Sequence, residues 1–86
     1  MGSARIKPTR LGEKLVAVRK EFGYSMAEMA NILSDELVSV ASQNVHRYET
    51  GEMAPSIIVL LRYSRLAKVP MEVFADDDLD LPAKFT

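Results

Sequence analysis

The chain has 86 residues, enough for one small domain, and no cysteine, which excludes a disulfide framework and a thiolate metal site. Apolar residues make up 48% and charged residues 27%, a soluble globular composition. No apolar run approaches the ~20 residues of a membrane span. The N-terminal MGSARIKPT lacks the apolar segment of a signal peptide, so a cytoplasmic location with no membrane partner is expected.

The net charge of −1 argues weakly against nucleic acid, but it is unevenly placed. Residues 76–86 hold four Asp against one Lys, whereas residues 1–75 hold ten Lys or Arg against eight Asp or Glu. Arg5, Lys7, Arg10, Lys14, Arg19 and Lys20 face only Glu13 within the first twenty residues, so the front end is strongly basic and the tail acidic.

Helical periodicity dominates the chain. Leu11, Leu15, Val18 and Phe22 fall on one helix face, with Thr9 expected as N-cap and Gly23 as the stop. Ser25-Met26-Ala27-Glu28 is a capping box that opens a second helix with Met29, Ala30 and Leu33 inward. A third helix covers about 42–50, with Val45 and Tyr48 inside and Gly51 after it. A fourth covers about 56–67, with Ile57, Leu60, Ser64 and Ala67 expected inside. Arg62 and Arg65 are expected on its solvated outer face, with Tyr63 partly buried or at an interface. Pro70 suits the start of a last short helix holding Met71 and Phe74. No segment alternates with a strand period. The expectation is an all-α, five-helix domain over 10–75, preceded by an arm at 1–9 and followed by an acidic tail at 76–86.

The order Leu11, Leu15, Arg19, Gly23-Tyr24-Ser25, Ala30, Leu33, Val45, Tyr48-Glu49-Thr50-Gly51, Pro55-Ser56, Leu60 and Val69 resembles the phage repressor and Cro type of helix-turn-helix, the XRE family. The resemblance covers about residues 10–75 and implies a lambda-repressor-like fold. It also implies sequence-specific binding of double-stranded DNA by a two-fold homodimer, with the third helix in the major groove and the second across the backbone. Carried over by position, Ser42, Gln43 and Arg47 match the base-contacting residues, and Asn44 is a base or phosphate contact. Gln43 has the chemistry to pair bidentately with adenine and Arg47 with guanine. His46 is a further candidate contact. Phosphate contacts are expected from Ser25, Thr50 and Ser56, with Lys7 and Arg10 adding to them from the arm. Arg19 and Glu49 match a structural ion pair between the first and third helices.

Three positions depart from the family pattern. The connection between the second and third helices is about five residues longer, roughly Asp35 to Ser39, as an added helical turn or a bulging loop. Met26 stands where a phosphate-binding glutamine is usual. Ala41 stands where a Ser or Thr normally caps the third helix, which leaves Ser39 or Ser42 as substitutes.

Other chemistries find little support. His46 and Glu49 have metal-pair spacing without a third ligand, and the Asp76–Asp80 run lacks the central glycine and closing glutamate of a calcium loop. One histidine and no cysteine leave no nucleophile-base pair, so no enzyme, no cofactor and no small-molecule ligand is expected. Two other functions stay open: an antitoxin-type regulator that also binds a toxin, suggested by the apolar and acidic tail, and a helical interaction module that has lost DNA binding. The tail and last helix are the expected dimer surface, because Phe74, Leu79 and Leu81 exceed what the core obviously needs.

Overall fold

The computed structural model describes residues 9–82, which form five α-helices and, among the described residues, no strand: α1 (Leu11–Phe22), α2 (Met26–Leu33), α3 (Ser42–Thr50), α4 (Ile57–Ala67) and α5 (Met71–Ala75). Each helix contributes an apolar stripe to one core. Leu15, Val18, Met29, Leu33, Val45, Val59, Tyr63 and Phe74 are fully buried there. α2 and α3 pack most extensively on one another, and α1 crosses α3.

Local signals set most of the helix ends. Ser25 Oγ accepts from the Glu28 N–H at 3.1 Å while the Ser25 N–H donates to Glu28 Oε1 at 2.8 Å, the reciprocal box that starts α2. Gly51 ends α3 at φ 83°, a left-handed conformation that a β-carbon would strain. Lys68 takes the same role after α4 at φ 60°. Phe22 and Tyr24 stack in parallel across the turn after α1, with ring centroids 5.7 Å apart.

Three expectations change. Arg10, not Thr9, is the cap residue of α1, and neither supplies a capping side chain; the carboxylate of Asp77, 67 residues away, accepts from the Thr9 and Arg10 N–H groups instead. The buried face of α4 is Val59, Tyr63, Ser64 and Ala67, and Ile57 is 73% exposed. Five consecutive apolar residues open α4, so several helical phases bury comparable area. The chosen phase seats the large Tyr63 ring against Phe74, centroids 6.5 Å apart, and burial pushes the Tyr63 phenol pKa up. Finally, Phe74 belongs wholly to the core and Leu81 packs partly against it, so both already have intramolecular partners.

Gly12 has a role the periodicity did not reveal. A β-carbon built there would lie 2.5 Å from the Glu49 carbonyl oxygen and 3.3 Å from that of Tyr48. The absence of a side chain is what lets the first turn of α1 touch the backbone of α3.

Candidate nucleic-acid interface

α3 is two-sided. Val45 and Tyr48 are buried, and Ser42, Gln43, His46 and Thr50 are exposed on the outer surface, with Asn44 and Arg47 half-buried. This follows from spacing: the buried pair is three apart, while Gln43, His46 and Arg47 recur at three and four on another face. Ala41 precedes α3 with no side-chain cap bond, so Ser42 is the first helical residue and not the cap. Arg47 has Glu52 only at 3.9 Å, a loose pairing at a side chain 40% exposed.

The segment after α3 is shaped by its own backbone. Thr50 Oγ1 donates to the Arg47 carbonyl at 3.2 Å, and the Met53 N–H donates to the same carbonyl at 3.1 Å. Ser56 caps α4, its Oγ accepting from the Val59 N–H at 3.3 Å. Ser25 is exposed at the start of α2, but its oxygen serves Glu28, whose carboxylate shares that helix end. Lys7 lies outside the described residues.

Three of the cations counted at the front of the sequence, Arg10, Lys14 and Arg19, are engaged within the molecule. Lys14 is 2% exposed, with Nζ donating to the Val73 and Asp76 carbonyls at 2.7 and 2.9 Å, where it closes the end of α5. Arg10 donates to Asp80 at 2.6 Å, to the Asp77 carbonyl at 2.7 Å and to Glu13 at 3.3 Å. The Asp80 and Glu13 bonds raise its pKa. Its guanidinium is therefore ringed by acceptors, not presented as an open charge. Arg19 holds Glu49 through two bonds, Nε to Oε2 at 2.6 Å and Nη2 to Oε1 at 3.0 Å, and donates a third to the Tyr24 carbonyl at 2.9 Å. This fork ties α1 to the C-terminal turn of α3 and raises the Arg19 pKa, with Glu49 the largest cause.

The connection between α2 and α3 is a fastened loop, not an added helical turn. Asp35 Oδ1 accepts from the Leu37 and Val38 N–H groups at 2.8 and 3.0 Å. Ser34 Oγ accepts from the Val40 N–H at 2.8 Å and contacts the Ala30 carbonyl at 2.7 Å. Arg62 is not a solvated outer-face residue: it pairs with Asp35 at 2.6 Å and donates to the Leu33 carbonyl at 3.0 Å. These bonds draw the loop toward α4 and leave Ser42, Gln43 and His46 uncovered. Arg62 and the two loop amides hold the Asp35 carboxyl below the usual range, Arg62 most strongly. A depressed carboxyl stabilises the fold above its unfolded pKa and loses that contribution as pH falls through its folded one, so the Asp35 part of the latch weakens in acid. Arg62→Ala is expected to cost about 1 kcal/mol and to raise amide exchange at Leu37 and Val38 several-fold while Val45 stays protected, measured by hydrogen exchange.

No group of three or more metal-ligating side chains occurs among the described residues, and none of their helices is long and apolar enough to cross a membrane. No protein-family model matches the chain. Two curated proteins, provisionally named HTH-type transcriptional regulatory proteins, are similar to it over 60 residues. That of Pyrococcus horikoshii is 38% identical and that of Pyrococcus furiosus 37%, each alignment covering 70% of this chain. The alignment spans 18% of the length of either relative.

Proposed function

We propose that this domain binds double-stranded DNA sequence-specifically and regulates transcription, in the manner of the XRE family and as a repressor, with α3 in the major groove. The observation that carries the reading is the outer face of α3: Ser42, Gln43 and His46 exposed and Arg47 beside them, on a helix clamped from behind by Val45, Tyr48 and the Arg19–Glu49 fork. Amide and guanidinium ends on a rigid helix are the chemistry that distinguishes base edges. The names of the two Pyrococcus proteins support the same class. In this reading Gln43 and Arg47 contact bases, Ser42, Asn44 and His46 complete the reading face, and Thr50, Ser56 and Ser25 lie along the backbone. The working form is a cytoplasmic homodimer without cofactor, catalysis or small-molecule ligand. With Phe74 and Leu81 engaged in the core, the exposed Ile57 and Ile58 at the start of α4 are better placed to meet a second copy than the tail.

Selection of bound sites from a random duplex library tests the reading. Gln43→Ala and Arg47→Ala are each expected to relax one or two positions of the preferred site by about 1–3 kcal/mol, roughly 5- to 150-fold, with the other positions kept. Unchanged preferences in both variants would overturn the assignment of the reading face.

One observation favours the second reading, an interaction module without DNA binding: Arg10, Lys14 and Arg19 are all engaged internally, and Met26 contributes packing where a phosphate donor is usual. Titration of salt against random duplex separates the two, since phosphate contacts weaken steeply with salt. For the antitoxin reading, Leu81 of the tail already packs against the domain's own core, so the acidic side chains are what remains there to favour it.

A further inference from the structure

We infer that Glu52 is a positioning residue for base reading, its carboxylate holding the Arg47 guanidinium end-on to the groove; the inference rests on the DNA-binding reading above. Arg10, Arg19 and Arg62 each engage their guanidinium in hydrogen bonds within the domain. Arg47 is held differently: Glu52 Oε2 lies 3.9 Å from its Nε. That distance is too long for a hydrogen bond but short enough for one charge to steer the other. The Arg47 side chain is 40% exposed and that of Glu52 65%, so both reach solvent beside α3. A guanidinium carries its N–H donors on Nε and on the two terminal nitrogens. A carboxylate on the Nε flank leaves the terminal nitrogens pointing outward, and these supply the fork that matches guanine O6 and N7.

The backbone sets the place of Glu52. Gly51 turns the chain at φ 83°. The Met53 N–H and Thr50 Oγ1 both donate to the Arg47 carbonyl, at 3.1 and 3.2 Å, and the Glu52 N–H donates to Thr50 Oγ1 at 3.4 Å. These bonds fold residues 50–53 back on the last turn of α3 and bring the acid at 52 against the side chain at 47. Exposed ion pairs of this kind contribute little to folding, so the consequences of the pair lie in binding. There the acid acts twice. In the segment proposed to follow the DNA backbone, a carboxylate repels phosphate and weakens binding to any sequence. It also restricts the Arg47 side chain before contact, so less freedom is lost when the matching base arrives. Both effects widen the gap between a chosen site and random DNA.

The test is site selection by the full chain from a random duplex library, with affinities for the selected site and for random duplex. It compares the parent, Glu52→Gln, Arg47→Ala and the double variant. Glu52→Gln keeps the size of an exposed side chain and removes its charge, so the variant should melt with the parent. It is expected to bind random duplex about twofold to fivefold more tightly. Its preference at the base pair that Arg47→Ala relaxes should fall about threefold to tenfold, with the other positions kept. In the Arg47→Ala background, Glu52→Gln should alter the preference at no position. If Glu52→Gln strengthens binding to all sequences alike and keeps the parent's preferences, the acid only repels phosphate; the positioning role is then overturned and the DNA reading stands. If Arg47→Ala relaxes no position, or if the parent binds no duplex even at low salt, base reading by Arg47 falls and the role of Glu52 with it.

Discussion

Arg19→Ala is expected to lower the stability of this domain by about 3–5 kcal/mol. The Glu49 side chain is 4% exposed and accepts two bonds from one guanidinium, whose own side chain is 15% exposed. Removing that partner leaves a carboxylate without its counter-charge in the angle between α1 and α3, and it also frees the Tyr24 carbonyl. A chain of this length has roughly 4–13 kcal/mol in all. The melting temperature should therefore fall by about 20 °C, read by circular dichroism. Arg19→Lys keeps the charge but not the fork and should lose less than half as much. On the proposed DNA-binding reading, the Ala variant below its melting point should bind duplex DNA within a fewfold of the parent, because the fork supports α3 from behind and does not belong to its outer face. An unchanged melt would mean that the pair contributes nothing.

Gly12→Ala should also destabilise, by about 2 kcal/mol, although the same exchange within a helix ordinarily stabilises by about 0.5–1 kcal/mol. The sign reverses because the new methyl meets backbone, not a movable side chain: the Glu49 carbonyl oxygen at 2.5 Å and its carbon at 3.2 Å. α1 and α3 must part, and the displaced residue is the acid held by Arg19. The two substitutions should therefore combine to less than the sum of their separate losses, whereas distant changes would add. A denaturant series on the single and double variants measures this, and strict additivity would show that the crossing and the ion pair are independent.

The contrast between these two sites shows what could be read in advance. Leu11, Leu15, Val18, Met29, Ala30, Leu33, Val45 and Tyr48 announce their burial through period, and the Ser25 box and Gly51 mark ends through local chemistry, so most of the five-helix layout was legible. The exposed polar face of α3, here proposed to read bases, was legible for the same reason, being the complement of Val45 and Tyr48. What escaped depends on contacts distant in sequence. Gly12 carries no signal in the sequence, because its role depends on the Glu49 carbonyl that α3 brings against it. Thr9 looked like a cap until Asp77 arrived from the other end of the chain. Arg10 was expected to seek phosphate, Arg62 to be solvated and Lys14 was only counted as basic charge, yet their acceptors are the acidic tail, the loop after α2 and the end of α5. The phase of α4 escaped for a different reason: Ile57 to Leu61 is apolar all round, and only the bulk of Tyr63 and Phe74 selects a face.

The fastened loop between α2 and α3 has a thermodynamic consequence. Asp35, Ser34 and Arg62 fix the entry into α3 during folding, so little torsional freedom remains there to be lost when a partner arrives. The proposed complex through α3 should thus resemble the meeting of two rigid bodies. Its heat-capacity change should scale with the contact area alone, without the surplus that marks folding coupled to binding.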